Sequence, residues 1–214
     1  MLIINSFNLP GQPIVCKLHL YFYKTPLYIL MDTAILVKEA KQGSTAAQRR
    51  LYDMFAEKMM HLCCRYVKKK EDAEELLLDG FYKFFKNIHS FSYQSEAALY
   101  AWLKRIMINE CLMFLRKKNV FTIVTESAAE EIVLEEEALN NLSASEIFNL
   151  VVTLPVGYRT VFNLFVIEGM EHKEIAALTG ISEGTSKSQL SKAKILLQKM
   201  LSQKGIEYVK QKAQ

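Results

Sequence analysis

Residues 168–201, EGMEHKEIAALTGISEGTSKSQLSKAKILLQKML, constrain the fold more than any other stretch of the chain. Ile175, Ala176 and Leu178 give a first helix a small apolar face. Thr179, Gly180 and Ile181 end it, the glycine supplying the left-handed backbone that a sharp turn needs. Ser182 is then placed to cap a second helix. Leu190, Ala193, Leu197 and Met200 recur at helical spacing, so one face of that helix turns inward. The other face carries Thr185, Lys187, Ser188, Gln189 and Lys192. This pattern predicts a helix-turn-helix, whose second helix is the kind that enters the DNA major groove. An ordinary helical hairpin with a solvated basic face fits the same letters.

The charge layout sharpens the pattern. Residues 1–118 hold 18 basic and 11 acidic residues, residues 119–158 hold seven Glu and no Lys or Arg, and residues 159–214 hold 9 basic and 5 acidic. Basic blocks suit a phosphate backbone, so the acidic connector either stays off DNA, fills a basic channel or is a solvated linker. With only 8 Gly and 4 Pro in 214 residues and helical periodicity throughout, the predicted class is all-α. Cys16, Cys63, Cys64 and Cys111 form no CxxC, and no Cys/His cluster has zinc-ligand spacing. Cys63 and Cys64 are expected to be reduced core residues of a cytoplasmic protein. The absence of a glycine-rich phosphate loop and of any nucleophile motif, with His19, His61, His89 and His172 scattered, argues against an enzyme and against any cofactor or small-molecule substrate.

Two small helical domains are expected. Residues 1–30 form an atypical extension broken by Pro10, Pro13 and Pro26, and Met31 is the expected physiological start. Residues 31–118 should form a bundle of four helices: 32–41, 44–69 with Ser44 as cap, 72–87, and 96–118 after a polar loop at 90–95. Residues 119–142 are the acidic linker, 143–201 a second bundle broken at Pro155, and 202–214 a polar tail.

Asp72-Ala73-Glu74-Glu75-Leu76, the run Trp102-Leu103…Arg105-Ile106…Asn109…Leu115-Arg116, and the run Glu174-Ile175-Ala176…Gly180-Ile181-Ser182…Gly184-Thr185…Lys187-Ser188 occur in this order and spacing. Together they resemble regions 2 and 4 of bacterial RNA polymerase sigma factors, above all the small extracytoplasmic-function (ECF) group that keeps only those two regions. The resemblance spans about Thr33–Leu201. It implies that the 72–87 helix docks on a coiled coil of the polymerase largest subunit through Asp72, Glu74, Glu75 and Asp79, acids that also suit a helix N-terminus. It implies that Phe91, Tyr93, Gln94 and Ser95 form a pocket for a flipped −10 base, with Lys104, Arg105, Arg116, Lys117 and Lys118 along the strand. Asn109 lies near that base in the family, and a helix–helix hydrogen bond suits it as well. Trp102 has core spacing. Thr185, Lys187, Ser188 and Gln189 should read the −35 element, with Lys192 and Arg159 on phosphate. The acidic linker fits as a nucleic-acid mimic inside a polymerase channel.

Met113 stands where the family has Asp, Leu78 and Gly80 where it often has a polar and a bulkier residue, and Gln189, Lys192 and Lys194 where Arg is frequent. The expected partners are core RNA polymerase, promoter DNA and an anti-sigma factor, membrane-anchored in many members of the group. Rival readings are a helix-turn-helix regulator that binds duplex DNA without being a polymerase subunit, and a decoy that occupies polymerase without binding DNA.

Overall fold

The computed structural model describes residues 33–118 and 144–203, so the expectations for the extension, the acidic linker and the tail lie outside the described residues. Helix α1, Thr33–Lys41, buries Leu36, Val37 and Ala40 and stops at Gly43, whose φ of 85° is one that side-chain-bearing residues rarely adopt. Helix α2, Thr45–Tyr66, starts where the Ser44 hydroxyl accepts the Ala47 amide at 3.3 Å. Leu51, Phe55, Met59, Leu62 and Tyr66, spaced three or four apart, form its buried stripe. Helix α3 spans Lys70–Asn87, beginning two residues before the expected start at Asp72, because the Ala73 amide already bonds the Lys69 carbonyl. A 3₁₀ turn, Ile88–Ser90, and an extended loop lead to α4, Glu96–Lys117, capped by Ser95.

These four helices share one core. Tyr52, Phe81, Phe84, Phe85 and Trp102 form a connected aromatic cluster, and Gly80 lets α3 approach α4 closely over Met107. Each fully buried Leu or Phe here contributes about 1.5–3 kcal/mol against exposure. Cys63 and Cys111 are buried free thiols, whereas Cys64 is only half-buried. The Cys63 thiol, burial and nearby charges raise the pKa of the Cys111 thiol well above its usual range.

In the second domain, α5 (Ala144–Thr153) ends before Pro155, and α6 (Val156–Phe162) starts directly after it. A π-turn, Asn163–Ile167, extends α6. Helix α7, His172–Thr179, ends at Gly180 with φ 76°. Helix α8, Glu183–Gln203, follows, with Ser182 accepting the Thr185 amide at 3.0 Å. Ile147, Leu150, Val151, Phe162, Leu164, Ile175, Ala193 and Leu197 form this core. Leu201 is buried and Met200 only partly, so the inward stripe of α8 closes one residue later than periodicity predicts. Among the described residues no helix is long and apolar enough to cross a membrane.

The two domains meet at the C-terminal end of α2. That helix packs against α5 and α6, while α4 packs against α7.

Candidate nucleic-acid interface

The end of a helix leaves up to four carbonyls without intrahelical partners. At α2 the second domain supplies donors: Arg159 Nη2 donates to Tyr66 O at 2.8 Å and Asn163 Nδ2 to Arg65 O at 3.0 Å. The same guanidinium donates through Nη1 to Val152 O at 2.9 Å and Leu154 O at 3.3 Å, at the end of α5. Arg159 therefore closes the C-termini of two helices, where a cation is also favoured by their dipoles. It is 1% exposed, and burial lowers its pKa to about 10, so it stays charged at neutral pH. The sequence expectation of a phosphate contact for Arg159 is corrected here: its donors already point at three carbonyl oxygens.

The loop expected to hold a −10 base is braced from three sides. Lys41 Nζ donates to Phe91 O at 2.5 Å, Thr33 Oγ1 donates to Glu96 Oε2 at 3.2 Å, and the Phe91 ring stacks on Trp102 at 4.8 Å and 13°. Trp102 is thus only partly buried, between the core ring of Phe84 and the loop, which departs from its assignment to the core. Tyr93 is half-buried, while Gln94 and Ser95 are exposed, Ser95 also serving as the cap of α4. Arg105 and Asn109 lie exposed on α4, one turn apart, and Arg116 and Lys117 are exposed at its end. Lys118 pairs with Asp72 at 3.1 Å and lies over the Phe114 ring, and Lys104 pairs with Glu168 at 2.7 Å.

On α8, Lys187 and Ser188 are exposed, and Thr185 and Lys192 are half-buried. Lys187 pairs with Glu183 at 2.8 Å, and Thr185 Oγ1 bonds Ser182 Oγ. Gln189 does not reach the solvent face. It is 8% exposed and packs over Gly157, so its expected role at base edges is corrected. Its position four residues before Ala193 and eight before Leu197 places it on the buried stripe.

His172 at the start of α7 stacks on Phe165 at 4.4 Å and bonds Ser186 Oγ of α8 at 2.9 Å, fastening the two helices of the turn. Burial, with Lys187 and Lys194 nearby, lowers its pKa, an effect that Glu183 partly offsets. The folded domain then binds fewer protons than the unfolded chain below the ordinary histidine range, so stability falls as pH drops through and below about 6.5. Thermal unfolding at pH 7.5 and 5.5 should show a drop that His172→Gln reduces; an equal drop in that variant would assign the effect elsewhere.

On α3, Glu74 and Lys70 form an exposed pair, and Glu75 and Asp79 are exposed. Sequence reasoning noted Leu78 only as a departure from the family and did not single out Tyr82, yet Leu78 is 60% exposed and Tyr82 66%. Glu75, Leu78, Asp79 and Tyr82 follow i, i+3, i+4, i+7 spacing, which puts an apolar pair and two acids on one face. The signal was in the letters, since neither Leu78 nor Tyr82 fits the stripe of Ala73, Leu76, Leu77, Gly80, Phe81 and Phe84.

Residues 51–120 match the family described as Sigma-70 region 2, and residues 144–197 match Sigma-70, region 4, together more than half of the chain. The chain is 27% identical over 188 residues to the ECF RNA polymerase sigma-E factor of Haemophilus influenzae, covering 79% of this chain and 94% of that one. It is 25% identical over 178 residues to the ECF RNA polymerase sigma factor SigW of Bacillus subtilis, covering 77% and 94%. Among solved structures, CnrH in complex with the cytosolic domain of CnrY matches at 20% identity and TM-score 0.43, covering 79% of this chain and 96% of that chain.

Proposed function

Because this chain belongs to the sigma-70 family, in its ECF group, we propose that its two domains divide promoter recognition between α4 and α8. Sigma factors of this family are non-catalytic subunits that direct core RNA polymerase to promoters; the polymerase carries out the chemistry. In this chain the first domain opens and holds the −10 element, and the second binds the −35 element as duplex.

The observation that carries this division is the exposed polar surface on each unit. On the first domain the loop that carries Tyr93 and Phe91, the latter stacked on Trp102, leads into α4, along which Arg105, Asn109, Arg116 and Lys117 are exposed. An aromatic platform beside cations suits an unstacked single strand. On the second, exposed Lys187 and Ser188 lie in the first turns of α8 with Lys192 one turn further. Small polar and cationic side chains there reach base edges and phosphates of duplex DNA. The acidic face of α3 is the docking surface for core polymerase. An anti-sigma factor, anchored at the membrane and holding the protein inactive in the cytoplasm, completes the proposed set of partners.

Transcription with core polymerase from the native host, on pooled genomic fragments with and without the protein, tests this reading. New start sites sharing a −35/−10 pair are expected. Binding to duplex DNA without any binding to core polymerase would favour a plain regulator, and core binding without new starts would favour a decoy. On the promoters found, Lys187→Ala should weaken complex formation and reduce the slope of log affinity against log salt by about one. An unchanged slope would remove Lys187 from the phosphate contacts.

A further inference from the structure

We propose that α1 is the positioning element of the −10 loop, and that Lys41 sets which side chains of that loop meet the captured base. The inference rests on the sigma-factor reading and adds a residue to its −10 site. Its basis is where the two ends of the loop are held. Phe91 opens the loop, and its carbonyl accepts from Lys41 Nζ at the C-terminal end of α1. Glu96 follows the loop, and its carboxylate accepts from Thr33 Oγ1 at the N-terminal end of α1. The loop therefore lies along the helix, antiparallel to it, with one tie at each end.

The lengths fit this arrangement. From Thr33 to Lys41 the helix is about 13 Å long at 1.5 Å per residue. The chain from Phe91 to Glu96 reaches at most ~18 Å when fully extended. Little slack is left, and the backbone is extended at both ends of the loop, with φ −76° and ψ 123° at Phe91 and φ −163° and ψ 165° at Ser95. Successive side chains of an extended chain point to opposite faces. Phe91 and Tyr93 are half-buried against the core, Phe91 on the Trp102 ring. Ser92 and Gln94 are exposed. Ser92, which the sequence pattern does not single out, thus joins Gln94 on the open face.

A slip of one residue would exchange the two faces, turning Ser92 and Gln94 inward. Lys41 opposes such a slip because it holds backbone, at the first residue of the loop. Its ammonium makes a charge-assisted bond to that carbonyl, stronger than a neutral one. On the open face a hydroxyl and an amide can both donate to and accept from a base edge. Lys41 acts on the base only through the Phe91 carbonyl, so it is a positioning residue.

Trp102 is the single tryptophan of the chain, so its fluorescence reports whether Phe91 still covers it. Full-length wild type, Lys41→Met and Lys41→Arg, with helix content checked by circular dichroism, are compared by acrylamide quenching. They are then compared by transcription with core polymerase on promoters carrying each of the four bases at the captured position. Lys41→Met keeps the bulk without the donor, and its Trp102 should quench about twofold more strongly as a ring face is uncovered. Wild type should favour one base at least about fivefold, the lower end for a hydrogen-bonded base edge, and Lys41→Met should keep no more than about twofold. Lys41→Arg restores a charged donor and should recover most of both effects. Should Lys41→Met lose helix, Thr33→Val cuts the other tie and is read in the same assays. Equal quenching of wild type and Lys41→Met overturns the inference, as does stronger quenching with the base preference intact. Either result, with wild-type transcription present, leaves the sigma assignment standing. If wild type starts no transcription, the base-selecting role falls with that assignment, and quenching alone then reads the tie between Lys41 and the loop.

Discussion

Arg159→Met is expected to destabilise the protein by about 3–5 kcal/mol, the range for breaking a buried, hydrogen-bonded charge. The side chain is almost fully buried and donates to Tyr66 O, Val152 O and Leu154 O. Methionine fills similar space but donates nothing, so three carbonyls at the ends of α2 and α5 lose their donor. Each costs about 1–3 kcal/mol where water cannot replace it. Arg159→Lys should recover only part of this, because one ammonium cannot reproduce the planar fork. Denaturant unfolding followed by circular dichroism measures the loss. A loss below about 1 kcal/mol would mean that Arg159 is a surface cation in solution, as for an exposed ion-pairing group, and would return it to the phosphate contacts that the sequence suggested. The same experiment bears on the domain contact, since one of the three bonds crosses between the domains.

Arg159 and Gln189 also show where sequence reasoning stops. Features that depend on neighbours within a few residues were legible: the Ser44 and Ser95 caps, the Gly180 turn, and the stripe from Leu51 to Tyr66. Each is encoded in spacing and backbone chemistry within one helix or one turn. The Arg159 partner Tyr66 lies 93 residues away, and the side chain of Gln189 is covered by Gly157. A polar residue on a helix reads as solvent-facing until something distant is known to cover it. Gln189 was the more legible of the two, because it shares the stripe of Ala193 and Leu197. Glu168 carried no local signal at all: it follows the turn of α6, and its two cations sit on α2 and α4. The helix-turn-helix and the first bundle were therefore readable from the chain, while their mutual contact was not.

Replacing Leu78 and Tyr82 together by alanine should weaken binding to core polymerase by about 2–4 kcal/mol, or roughly 30- to 1,000-fold, while leaving the free protein folded. The two side chains are among the most exposed large apolar groups of the described residues. They give little to the α3 packing, so their removal should change the unfolding midpoint by no more than an ordinary surface substitution, about 0.5 kcal/mol. Their neighbours Glu75 and Asp79 provide the acidic rim, and an aromatic anchor inside a charged ring is the arrangement in which binding energy concentrates. Charge and apolar contributions separate by kinetics. Glu75→Gln with Asp79→Asn should lower mainly the association rate, and the difference should shrink as salt rises. Tyr82→Ala should act on dissociation, and salt should leave its effect in place. Surface plasmon resonance with immobilised core polymerase resolves both. If the double alanine variant binds as wild type does, α3 is not the docking helix, and the exposed Leu78–Tyr82 face needs another occupant.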